Sequence, residues 1–125
     1  MTTHIQTIYT DDKTPFADTV NSWLEGLGFH VLPFQENDEL VEKIDAVVIF
    51  HDNHNFDKRT AELRDLFEVH QAPIHKIDLS GTMNVALSHL SLFFDRTKCK
   101  DVLFIGSEGV KDHPKMDVFK EKWNL

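Results

Sequence analysis

Ala46-Val47-Val48-Ile49-Phe50, followed at once by His51-Asp52-Asn53-His54, is the stretch on which the fold turns. An unbroken apolar run has no polar side to give to water, so a strand here is buried on both faces. Strands of that kind belong to parallel sheets covered by helices. Working outward, four further short runs flank it: His4 to Tyr9, Phe29 to Pro33, Pro73 to Leu79 and Val102 to Ile105. Segments with helical patterning lie between them, and this alternation is the mark of βαβ units. Consecutive right-handed crossovers predict a single α/β domain over residues 1–125. The expected architecture is a three-layer αβα sandwich on a five-stranded parallel sheet, in the flavodoxin-like order 2-1-3-4-5. Pro33 marks the second strand as an edge, because proline cannot donate to a sheet ladder.

The helices have readable ends. Thr14-Pro15 opens the first, with Thr as cap and Pro preset for the first turn. Phe16, Val20, Trp23, Leu24 and Leu27 give it one apolar side, and Gly28 closes it. Asn37 to Lys43 predicts a brief second helix and Asp57 to Gln71 a third. Thr82 to Arg96 is the longest, with Met83, Ala86, Leu87, Leu90, Phe93 and Phe94 as its core stripe. Val85 and Leu92 lie off that stripe with His89 between them. They either pack under a last helix begun by His113-Pro114 or form a seam for a two-fold dimer. A monomer is the favoured state of the two.

Composition narrows the function classes. Forty-one per cent hydrophobic residues, ten Phe among them, suit a globular chain. Thirteen basic against twenty-one acidic residues give a net charge of −8. That balance, with scattered Lys and Arg, excludes nucleic-acid backbone binding as a role. A single cysteine, Cys99, excludes an internal disulfide framework and a Cys-pair zinc site. No apolar stretch has the length of a membrane span, and no charged-then-apolar leader opens the chain, so a cytoplasmic location is expected.

Ligands of such folds bind beyond the carboxyl ends of the strands. In the expected order the first and third strands are neighbours, so Thr10, Asp11, Asp12, Asp52 and Asn53 should converge. Clustered carboxylates repel unless protonated or bridged by a cation. Asp and Asn also favour loops for their own reasons, and no metal-ligand spacing is present, so no metal is assigned. Ser80-Gly81-Thr82 can hold a phosphate at a helix N-terminus, or serve only as helix-entry residues. Gly106-Ser107-Glu108-Gly109 has the same double reading. Glu62, early on the third helix, either faces the cleft or makes an ordinary i,i+4 contact.

Two resemblances bear on these residues. The run Ile8 to Val31, with Ala46 to Phe50 and Glu62-Leu63, resembles TIR domains and nucleoside 2-deoxyribosyltransferase-like proteins. That resemblance implies recognition of NAD or a nucleotide, with Glu62 as the catalytic residue at an N-glycosidic bond. Thr10, Asp11, Asp12, Asp52, Asn53, Ser80 and Thr82 would position the ligand. The segment Gln35 to Glu39 is shorter than the loop TIR domains carry there. Asp11-Asp12, Asp52 and Ser80 also resemble the acidic pair, phospho-accepting aspartate and hydroxyl of a response-regulator receiver. The fifth strand, however, runs into Gly106-Ser107 where receivers have Lys-Pro. The leading expectation is a small nucleotide- or NAD-recognising domain, active or inactive. A receiver-like signalling module and a non-enzymatic interaction domain are the alternatives.

Overall fold

Five strands lie side by side in one sheet: β1 (Thr7–Thr10), β2 (His30–Pro33), β3 (Ala46–His51), β4 (Ile74–Asp78) and β5 (Asp101–Gly106). Every pairing is parallel. Between and after them come α1 (Pro15–Gly26), α2 (Asp38–Lys43), α3 (Lys58–Val69), α4 (Met83–Thr97), a short 3-10 turn at Glu108–Val110, and α5 (Pro114–Lys122). The computed structural model describes residues 4–124. Within them no helix is long and apolar enough to cross a membrane.

The strand order is β2-β1-β5-β3-β4, not the expected 2-1-3-4-5. The chain returns from β4 to the middle of the sheet and inserts β5 between β1 and β3. Burial explains the placement. Residues 102–106 of β5 and all of β3 are buried, as a strand covered on both faces requires. β4 carries His75, Lys76 and Asp78 and is largely part-exposed, which suits an edge, where a lysine also discourages pairing with another sheet. Pro33 lies on the other edge strand, as expected.

Right-handed crossovers then distribute the helices. Movement toward β2, and the return from β4 to β5, put α1 and α4 on one face, where α5 joins them. Phe16, Val20, Leu24, Leu90, Phe94 and Phe119 pack there on Ile8, Val48, Phe50 and Phe104. The two crossovers in the other direction put α2 and α3 on the opposite face, with Val41, Leu63 and Phe67 over Tyr9, Val47, Ile49 and Leu103.

The caps expected at Thr14 and Thr82 stand before α1 and α4 but make no side-chain cap hydrogen bond. Asn37 and Asp57 cap α2 and α3 through side-chain acceptance from Leu40 N–H and Thr60 N–H. Gly28 takes the left-handed backbone at φ +96° after α1. Leu27 departs from the expected apolar side of α1 and is exposed, because it follows the last helical residue. Val85 and Leu92 do not pack under α5; they are 52% and 65% exposed.

Candidate functional site

The carboxyl ends of the strands form a row: Glu36 beyond β2, Asp11 beyond β1, Ser107 beyond β5, Asp52 beyond β3 and Asp78 ending β4. Adjacent parallel strands are about 4.8 Å apart, so the ends of β1 and β3 are separated by roughly 10 Å rather than adjacent. The expected convergence of Asp11, Asp12 and Asp52 is therefore not met. Asp12 is exposed, and Asp52 lies 3.5 Å from His113 Nε2 at the start of α5. Among the described residues no group of three acidic, His or Cys side chains is placed to hold a metal ion.

Asp11 is instead buried under Arg59, a residue that sequence reasoning did not single out. Arg59 Nε–H donates to Asp11 Oδ2 at 2.7 Å and Nη2–H to Oδ1 at 3.3 Å. Its Nη1–H donates to Glu36. The Asp11 side chain has no solvent exposure and that of Arg59 has 23%. Hydrogen bonding to Asp11 holds the guanidinium firmly protonated against the cost of burial, with Glu36 adding to the effect. The first turn of α3 is thereby tied to the ends of β1 and β2. Thr10 is equally committed: it is 1% exposed and its hydroxyl donates to Asn21 Oδ1 at 2.7 Å.

A second knot ties β3 to β4. Asn53 and His54 both have positive φ, and Asn55 N–H donates back to Asp52 O, so residues 52–55 make a type I′ turn. Asn53 N–H donates to Asp78 Oδ1 at 2.9 Å, as do Ser80 N–H at 2.9 Å and the Ser80 hydroxyl at 2.7 Å. Burial works against ionising Asp78, but these three donors and nearby His51 outweigh it and hold the carboxyl down at about 2. His51 accepts from His54 N–H through Nδ1 at 3.0 Å, and burial keeps its pKa below the ordinary histidine value despite Asp78.

Ser107 and Asp57 close the gap between the knots. Ser107 Oγ accepts from Asp57 N–H and donates to Asn55 O, while Asp57 Oδ2 accepts from Glu108 N–H. Gly106 serves packing: a Cβ there would come within 2.6 Å of the Phe16 ring. Gly106-Ser107-Glu108-Gly109 is thus a structural junction.

Glu62 stands apart from this row. It is exposed, 3.9 Å from Lys58 Nζ in an i,i+4 pair, while α3 turns Thr60, Leu63 and Phe67 inward. Cys99 is buried, which pushes its thiol pKa up and leaves no nucleophile there.

One part of the row remains open. Thr82 caps α4 without a side-chain hydrogen bond, and the first turn carries no acidic residue. Its leading N–H groups, on Met83, Asn84 and Val85, have no intrahelical acceptor by geometry. Ser80, Gly81 and Thr82 are exposed, and Lys115 Nζ lies beside them, donating to Gly81 O at 2.8 Å. Lys115 is the second residue sequence reasoning missed; the fold carries it from α5 to this loop.

No family model matches the chain, and no curated protein matches it. A solved structure does: the "Putative molybdenum carrier protein" of Syntrophus aciditrophicus SB, at 16% identity and a TM-score of 0.58. The match covers 94% of this chain and 96% of that one. At that identity the likeness is one of α/β fold.

Proposed function

We propose that this chain is a non-catalytic ligand-recognition domain for a nucleotide or a closely related phosphate-bearing compound. The phosphate is received at Ser80-Gly81-Thr82 and the first turn of α4. The observation that carries this reading is the contrast between two helix starts. The N-terminus of α3 is filled by Asp57, whose carboxylate accepts from Thr60 N–H and Glu108 N–H. That of α4 has no side-chain cap and no acid in its first turn, and has Lys115 beside it. Partial positive charge and free N–H groups at a helix start favour an anion, and a neighbouring ammonium strengthens the preference. Asp78 stands nearby, but three donors already occupy its Oδ1.

Glycosidic-bond chemistry is left out of the proposal because the Glu62 carboxylate is exposed and paired with Lys58. Phosphotransfer of the receiver kind is left out because Asp11 is engaged by Arg59 and β5 stands between β1 and β3. Calorimetric titration with AMP, adenosine and NAD tests the reading. AMP should bind at least about tenfold more tightly than adenosine, and Lys115→Ala should cost AMP about five- to tenfold. Equal affinity for AMP and adenosine, or no binding of AMP at millimolar concentration, would reject it. Molybdate in the same titration asks whether the element named for the fold neighbour is recognised by this chain.

A further inference from the structure

Along the flank of α4 beside edge strand β4, three basic side chains meet around one groove. His75 of β4 and His89 and Arg96 of α4 line a volume of about 240 Å³, with Leu92 and Phe93 as its apolar part. Phe93 is the platform. It is 2% exposed and held by the core. His75 stacks on its ring with centroids 5.1 Å apart and planes 29° from parallel. The Arg96 guanidinium carbon lies 5.6 Å from the centroid of the same ring. His89 and Arg96 are two helical turns apart, so both stand on one side of α4 and bracket the platform.

No carboxylate lines this groove. Among the described residues Arg96 makes no ion pair, in a chain whose net charge is −8. The other charged groups of β4 are turned elsewhere. Lys76 lies over the Phe56 ring at 5.8 Å, and Asp78 lines an adjoining groove that His75 and His89 border but Arg96 does not. Across the ladder, the partner of His75 is Val48, which carries no charge. Burial lowers the His75 pKa, and His89 and Arg96 lower it further. Arg96 is thus a permanent charge held beside two imidazoles, and no carboxylate lines the groove to offset it.

We propose that this groove is a binding site for a small oxyanion. The anionic oxygens lie between His75, His89 and Arg96, and a short apolar stem, where the ligand has one, rests on Leu92 and Phe93. The volume is below the roughly 300–1,000 Å³ of sites for drug-sized ligands, which restricts the occupant to a small molecule. Arg96 supplies a permanent charge and a planar fork of donors that matches carboxylate and tetrahedral oxyanions alike. The two imidazoles add charge only when protonated. A bound anion favours that form, so by linkage affinity rises as the pH falls below 6.5, the value from which burial lowers His75. Arg96, Leu92 and Phe93 line this groove and not the adjoining one that reaches Gly81 and Thr82, so the site is tested through Arg96 independently of the nucleotide reading.

The test follows the His75 and His89 ring C–H signals by NMR in the full chain during titration with sulfate and, separately, propionate. Both probes keep constant charge between pH 6 and pH 8, so any pH dependence belongs to the protein. The proposal expects saturable shifts of both histidines at pH 6, and affinity about fivefold weaker at pH 8. Arg96→Gln should weaken binding about tenfold with the melting temperature unchanged. Saturation by sulfate alone assigns an inorganic tetrahedral oxyanion, and by propionate alone an organic carboxylate. Shifts that grow linearly without saturating, or saturation unaffected by both Arg96→Gln and His89→Gln, would overturn the proposal.

Discussion

The carboxyl edge of the sheet and the flank of α4 are both rich in ionisable groups, yet they use them in opposite ways. At the edge, Asp11 is matched by Arg59, Asp52 by His113, and Asp78 by Asn53 and Ser80. Along α4, His75, His89 and Arg96 gather around Phe93 with no acid among them. The first arrangement consumes its charge in holding loops together. The second leaves the Arg96 charge without an ion-pair partner among the described residues. A dense polar cluster is thus weaker evidence for a ligand than a sparse one whose groups lack partners, because buried charges must be paired for the fold to stand at all.

The largest expected effect tests the structural half of that contrast. Arg59→Ala would leave the Asp11 carboxylate buried without its partner, and removing one member of a buried pair costs about 3–5 kcal/mol. Urea unfolding at pH 7 measures it; a loss below about 1 kcal/mol would mean the tie is dispensable and the contrast false. Next comes Gly106→Ala. The new methyl would collide with the fully buried Phe16 ring, and overpacking of this kind costs about 1–3 kcal/mol. An unchanged urea midpoint would show that the junction between the two knots is loosely packed.

Titration sharpens the comparison further. The folded-state pKa of Asp78, about 2, lies below the ordinary value of 3.8, so its contribution is complete above that value and is lost as pH falls toward 2. The side chain is 34% exposed, so solvent screening reduces the effect to about 1 kcal/mol. The loss on acidification should be smaller in Asp78→Asn. His51 and His75 are also lowered, from 6.5, by burial first. Their contributions are present above the unfolded value and fade as pH falls below it. Stability measured from pH 7.5 down to 5.5 should therefore decline, and less so in His75→Gln; an equal decline would place the proton uptake elsewhere. Smallest is Glu62→Gln. An exposed i,i+4 pair is worth less than about 0.5 kcal/mol, and AMP affinity should not change. Loss of binding would return Glu62 to the site.

The layers were legible from periodicity alone. The two-sided burial of Ala46–Phe50 and the turn at Gly28 are local properties, and the structure repeats them, whereas the caps expected at Thr14 and Thr82 form no side-chain hydrogen bond. Strand order was not read correctly, although a signal existed. Val102–Ile105 is apolar throughout whereas His75, Lys76 and Asp78 make β4 polar, and polarity belongs at an edge. Assuming that successive strands are neighbours overrode that clue and brought Asp11 and Asp52 together on paper. Arg59 and Lys115 went unnoticed for a different reason. Each is an unremarkable helix cation in sequence, and only the fold brings it to residues 48 and 34 positions away. The α4 groove was hidden likewise, since His75 and Arg96 meet only through Phe93.

Amide shift mapping of the full chain with AMP tests the central claim most directly, because it reads the open loop and the tied edge in one experiment. The account predicts saturable shifts from Ser80 to Val85 and at Lys115, with Thr10 and Asp11 unmoved beneath their own hydrogen bonds. Shifts centred on Thr10 to Asp12 with the α4 loop silent, or no shifts at millimolar AMP, would contradict it.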